Sequence, residues 1–162
     1  MRALVVFDSF FGNTEIVARA VAESLAERAG DPDAARALRV AEFEDAHLEG
    51  VTLLVAGSPT RAFRPSPLTQ AWLAKLAPGR LDGVGVAAFD TRIDPEATGN
   101  AFLKLMVRWF GYAAAPIAKR LTRAGGQLAG PAQGFVVEGT EGPLRAGETD
   151  RARDWARSLA AP

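Results

Sequence analysis

The chain reads as an α/β domain, a doubly wound parallel sheet with helices on both faces in three layers, and three observations lead there. Strand and helix signals alternate from end to end, in the order strand, helix, strand, strand, helix, strand, helix, split strand, helix. Residues 2–7 and 51–56 are apolar runs but for Arg2 and Thr52, as expected of strands covered on both faces. The first run passes through Asp8-Ser9-Phe10-Phe11-Gly12-Asn13-Thr14, a turn with hydroxyls and one glycine, straight into an amphipathic helix.

Taken in order, residues 2–7 form a central strand. The helix after it sets Ile16, Val17, Ala20, Val21 and Leu25 on one face and stops at Gly30 and Pro32. Residues 37–43 alternate over a shorter stretch and suit an edge strand, residues 51–56 a second buried strand, residues 67–76 a helix and residues 83–89 a fourth strand. Residues 98–112 read as an unusually apolar helix on which Lys104, Arg108 and Gly111 leave only a narrow polar stripe; a second helix follows from 116 to 123. Residues 127–137 form a last strand interrupted at Gly130-Pro131, and proline's missing N–H puts that break at an edge or bulge. Ala152, Trp155, Ala156 and Leu159 recur at helical spacing in a final helix that closes the sheet. At 162 residues the chain suits one domain, 1–162.

Composition removes several function classes. Nineteen basic and nineteen acidic side chains cancel, so no nucleic-acid footprint is expected. No apolar run reaches the roughly 18 residues of a membrane span, and Met1 leads directly into a strand without a signal-peptide pattern, which points to the cytoplasm. Zero cysteines exclude disulfides, a thiolate nucleophile and sulfur-ligated metal. The single histidine, His47, lies in a polar stretch between strands and offers no catalytic triad.

The turn from 8 to 14 has the chemistry of a phosphate cradle. Amides at a helix start lack internal partners and carry partial positive charge, so they hold an anion without a cation nearby. Ser9, Asn13 and Thr14 add side-chain donors, and no Lys or Arg lies between Phe7 and Ala18. Neither G-x-x-x-x-G-K-[ST] nor G-x-G-x-x-G fits a segment with one glycine and no lysine. The segment Ser9-Phe10-Phe11-Gly12-Asn13-Thr14 instead resembles the flavodoxin phosphate loop [ST]-x-T-G-x-T, with Phe11 in place of the central threonine. The second turn, Gly57-Ser58-Pro59-Thr60-Arg61-Ala62-Phe63, resembles the G-[ST]-P-T turn of flavodoxin-like proteins and the G-T-P-T-R-F of FMN quinone reductases.

This resemblance to short-chain flavodoxins spans nearly the whole chain in element order. It implies a sheet of roughly five parallel strands in the order 2-1-3-4-5, with FMN outside the carboxyl ends of the strands where the winding reverses. It places Ser9, Gly12, Asn13 and Thr14 on the phosphate, Ser58, Pro59, Thr60 and Arg61 along the ribityl and ring, and Asp90, Thr91 and Arg92 at the ring's other edge. Many family members stack the ring between a Trp and a Tyr. These turns hold neither, so Phe10, Phe11 and Phe63 are the aromatic candidates, with plain packing as the alternative. Arg61 is either a solvated surface charge or a cation near the flavin or an anionic substrate. A receiver domain shares the fold, but Ser58 stands where its phosphoacceptor Asp would be and Val137-Glu138 where its Lys would be.

The expected function is therefore electron transfer by bound FMN, with a redox partner protein or a quinone as the other party. Two alternatives stand beside it: an FMN-dependent NAD(P)H:quinone oxidoreductase, and a flavodoxin-like module that has lost flavin and works by protein contact. The wide apolar arc of residues 98–112, with Trp109, Phe110 and Tyr112, is expected to make a homo-oligomer contact, with plain core packing, a redox partner or a hydrophobic quinone above the flavin as the alternatives.

Overall fold

The computed structural model of the chain describes residues 1–160, without the side chains of residues 97, 98, 109 and 110. Four long strands, β1 (Ala3–Phe7), β2 (Ala35–Arg39), β3 (Leu53–Pro59) and β4 (Gly85–Ile93), lie parallel in the order β2-β1-β3-β4. The last strand is split as its Gly-Pro break implies. β5 (Gln127–Leu128) pairs with the start of β4 and β6 (Gln133–Val137) with its end, so both halves occupy the fifth position. The order 2-1-3-4-5 is thus observed.

Side chains alternate across the sheet and feed two cores. Val5, Phe7, Val55, Phe89 and Phe135 point to the face covered by α1 (Asn13–Ala29) and α6 (Glu148–Ser158). Leu4, Val6, Leu54 and Val86 point to the other, covered by α2 (Pro67–Lys75) and α5 (Ala114–Arg123). Helix α1 buries Val17, Val21 and Leu25 as expected but not Ile16, which is 48% exposed. Thr14, Val17, Ala18 and Val21 already fill the inward face, and position 16 falls outside it. Strand β2 begins two residues earlier than its alternation suggests, because Val40–Glu42 turns into a 3₁₀ segment that drops Val40 into the core.

Two further differences bear on the site. β4 runs on to Ile93, so residues 90–92 are strand and not turn; Asp90, Thr91 and Arg92 pair with Gly134, Phe135 and Val136 of β6. The apolar stretch 98–112 is not one helix. α3 (Pro95–Thr98) ends at Gly99, which takes the left-handed conformation (φ 63°), and Asn100 caps α4 (Ala101–Phe110) by accepting from the amides of Phe102 and Leu103. Tyr112 falls beyond that helix, after Gly111. The interface residues expected at Trp109 and Phe110 have side chains outside the described residues. Among the described residues, no helix is long and apolar enough to cross a membrane.

Candidate functional site

The turn between β1 and α1 is shaped by Gly12, whose φ of 90° is left-handed and closed to most side chains. Its amide donates to Ser9 Oγ (3.0 Å), the Ser9 amide donates to Asp8 Oδ1 (2.9 Å), and the first α-helical bond runs from the Ile16 amide to the Gly12 carbonyl (3.0 Å). The amides of Asn13, Thr14 and Glu15 therefore precede the helix's own ladder, the arrangement an anion finds favourable. Thr14 Oγ1 meets Thr91 Oγ1 at 2.8 Å, which ties the turn to β4. The Asn13 side-chain amide donates to the Glu141 carbonyl (2.9 Å) and ties it to the loop after β6.

The turn after β3 is a tight hairpin closed by two backbone bonds between Arg61 and Arg64, 2.8 and 2.9 Å. Ala62 (φ 45°) and Phe63 (φ 66°) are both left-handed, a conformation usually left to Gly or Asn, so the turn holds backbone strain. Arg61 leans back over the first turn, its Cζ 4.9 Å from the Phe10 ring centre and 5.2 Å from that of Phe11. Both rings are about half exposed.

These turns enclose a cavity of about 200 Å³ at the carboxyl end of the sheet. Ten of the expected site residues line it: Ser9, Phe10, Phe11, Asn13, Thr14, Pro59, Thr60, Arg61, Thr91 and Arg92. Gly12 shapes the turn without lining the cavity, and Phe63 faces a neighbouring one instead. The charged members of the lining are Arg61 and Arg92; no carboxylate belongs to it.

Ser58 and Asp90 do not reach it. They sit side by side in register within β3 and β4, both fully buried. Ser58 Oγ accepts from the Ser66 amide (2.8 Å) and donates to the Pro59 carbonyl (3.0 Å). Asp90 takes both Arg92 Nε (2.6 Å) and Nη2 (2.7 Å) and accepts from the Ala114 amide (2.8 Å), pinning the start of α5 to the end of β4. Burial pushes the Asp90 carboxyl above the usual range, against the opposite pull of Arg92 and the Ala114 amide. They miss the cavity because their side chains are taken up elsewhere: Ser58 and Asp90 turn to Ser66 and Ala114 at the starts of α2 and α5, whereas Thr91 turns to Thr14 at the start of α1. Arg92 is held from three sides, with its Cζ 3.6 Å over the Tyr112 ring, and a Cβ on Gly134 would stand 2.1 Å from that carbon.

Ala62, Ile93, Val137 and Thr140 complete the lining, and Tyr112 reaches the site's edge; none was among the expected site residues. The signal for Val137 and Thr140 was present, since one ends the fifth strand and the other follows it on the same carboxyl edge as the other turns. A larger groove of about 530 Å³ lies between α1 and β2, reaching Gly30 and Asp31 at the other end of the sheet.

No family model matches the chain, and no curated protein is similar to it in sequence. Solved structures resemble it in fold. A flavodoxin from the domain Archaea superposes with a TM-score of 0.75 at 17% identity, covering 99% of this chain and 96% of that one. Oxidised flavodoxin 1 from Bacillus cereus gives 0.73 at 15% identity, covering 98% and 96%. Rubredoxin oxygen:oxidoreductase from Desulfovibrio gigas gives 0.68 at 15%, covering 98% of this chain but 35% of its own. The chain has the flavodoxin-like fold.

Proposed function

We propose that the chain binds FMN noncovalently and transfers electrons with it. The observation that carries this reading is the cavity's lining: uncharged amide and hydroxyl donors at the start of a 17-residue helix, two guanidinium groups, and no carboxylate. Such a lining suits a dianionic phosphate joined to a ring that accepts hydrogen bonds and gains negative charge on reduction. The neighbouring structures named flavodoxins support the same reading through the fold.

The protein's residues then divide the work. The Asn13, Thr14 and Glu15 amides with Ser9 and Thr14 hydroxyls hold the phosphate; Pro59, Thr60 and Thr91 flank the ribityl chain; Phe10, Phe11 and Arg61 close the outside. FMN supplies the redox chemistry, so no side chain is needed as acid or base. Arg61 biases the site toward the reduced, more anionic ligand, since a positive charge in a partly desolvated pocket acts through a lower dielectric than water's, whereas the Arg92 charge is offset by the Asp90 carboxylate.

Titration of the purified apoprotein with FMN and with riboflavin tests the reading. FMN is expected to bind far more tightly, because riboflavin lacks the phosphate. Equal affinities remove the phosphate assignment, and no affinity for either returns the chain to the flavin-free contact module.

A further inference from the structure

Residues 94–112 leave the sheet at the end of β4 and return beside their point of departure. The return is pinned by the Ala113 amide on Thr60 Oγ1 (3.1 Å), by the Ala114 amide on Asp90, and by Arg92 over Tyr112. Between those pins α4 is loosely held: among its described side chains none is buried, and Phe102 is 69% exposed. The helix still shapes something, a second cavity of about 180 Å³ beneath it.

This cavity is walled by Phe63 and Ile93 on the sheet side and by Leu103, Val107 and Tyr112 on the helix side, with Arg92 as its one charged member among the described residues. Arg92 lines the first cavity as well, so the two spaces meet across it. Its Nε and Nη2 are engaged by Asp90, whereas Nη1 has no acceptor among the described residues and keeps two N–H donors. An apolar void of about 150 Å³ takes a benzene ring, so this one has room for a single substituted ring.

We propose that the cavity under α4 is a second ligand site, for a planar one-ring aromatic compound with a hydrogen-bond-accepting oxygen, a benzoquinone or its phenolic counterpart. The ring lies against Phe63, Leu103, Val107 and Tyr112, and the oxygen accepts from Arg92. The volume fits one ring, and the guanidinium selects an oxygen-bearing ring over a hydrocarbon. The site names a substrate class for the electron transfer proposed above and rests on that reading for its role, but its occupancy stands on this cavity alone and can be read in the absence of FMN.

The probes are 2,5-dimethyl-1,4-benzoquinone and its oxygen-free match, p-xylene, titrated calorimetrically into the purified chain with and without FMN. With no cysteine, the chain presents no thiol for the quinone to alkylate. The quinone is expected to bind about tenfold or more tighter than p-xylene, the difference made by a hydrogen bond to a charged donor. Leu103→Trp and Val107→Trp each fill the cavity from a helix that buries none of its described side chains; both are expected to abolish quinone binding and leave FMN binding unchanged. Absence of quinone binding, p-xylene binding as well as the quinone, undiminished binding in both Trp variants, or competitive displacement by FMN would each overturn the proposal. Quinone binding by a chain that ignores FMN would sink the flavin reading and leave this one standing.

Discussion

Gly57 of β3 and Phe89 of β4 are register partners, and the Phe89 ring fills the space where a side chain at 57 would stand: a Cβ there would lie 2.1 Å from the ring's Cζ. The glycine that opens the Gly57-Ser58-Pro59-Thr60 turn thus serves the core, where Phe89 packs edge-on against Phe135 and Trp155 at centroid distances of 5.9 and 6.1 Å. Gly57→Ala is expected to cost about 1–3 kcal/mol through overpacking. Urea denaturation measures it, and a midpoint equal to wild type would mean that the ring moves freely.

Thr14 and Thr91 share a buried hydroxyl contact. Thr14→Ala is expected to weaken FMN by about 1–3 kcal/mol, a lost bond to a charged acceptor, and riboflavin much less. Parallel titrations of the two ligands decide it.

Arg61 rests on Phe10 and Phe11 at the cavity's outer wall and makes no ion pair among the described residues. Removing its charge with Gln should make the bound flavin harder to reduce, lowering its midpoint potential by tens of millivolts. Spectroelectrochemistry without a shift would return Arg61 to the role of a solvated surface charge.

Glu148 gives the fold an acid limit. Burial raises its carboxyl, but Arg151, the Val136 amide (2.6 Å) and Arg145 together outweigh that and hold it below the usual range. A lowered folded-state pKa means stability fully present above the unfolded value and lost as pH falls through the folded one. Glu148→Gln should therefore destabilise the chain near neutrality and flatten its stability loss under acid. Thermal melts at stepped pH values read both effects.

Arg92→Met leaves the Asp90 carboxylate buried and unpaired, at a cost of about 3–5 kcal/mol near neutral pH. Asp90's folded pKa is already raised and rises further without its partner. Its contribution is thus kept at low pH and lost as pH climbs through that value, so the variant's deficit should grow with pH. A pH-independent deficit would contradict the pairing.

Phe102 and Leu105 are 69% and 49% exposed on α4. Burying about 300 Å² of such surface per subunit would contribute on the order of 7 kcal/mol before association entropy offsets much of it. A dimer at micromolar concentration is expected in sedimentation, with Phe102→Glu shifting it to monomer; a wild-type monomer at high concentration ends this reading.

Much of the site could be read from the chain because the winding reversal fixes which turns converge, and apolar runs locate the strands feeding them. What stayed hidden was how far each strand runs. Asp90-Thr91-Arg92 has the polar look of a turn, yet it is ladder, since carboxylate and guanidinium satisfy each other inside the fold. Ser58 misleads in the same way by bonding to Ser66. Gly99 and Asn100 mark a helix boundary, but the apolar run that follows them hides it from a periodicity argument.

The split of the fifth strand has a consequence for the chain's behaviour in a crowd. A continuous outer strand offers a row of unpaired amides and carbonyls on which another molecule can extend the sheet. Here that row is two residues, a gap, then five. Within the gap the Ala129 carbonyl accepts from the Ala160 amide (2.8 Å), the Pro131 carbonyl accepts from Trp155 Nε1 (3.1 Å), and proline has no amide to offer. A strand arriving from a second molecule finds only the two residues of β5 before the gap, and beyond it the edge of β6 is already taken by the Arg145 amide on the Val136 carbonyl (2.8 Å) and by the Val136 amide on Glu148 (2.6 Å), so that edge is guarded against aggregation.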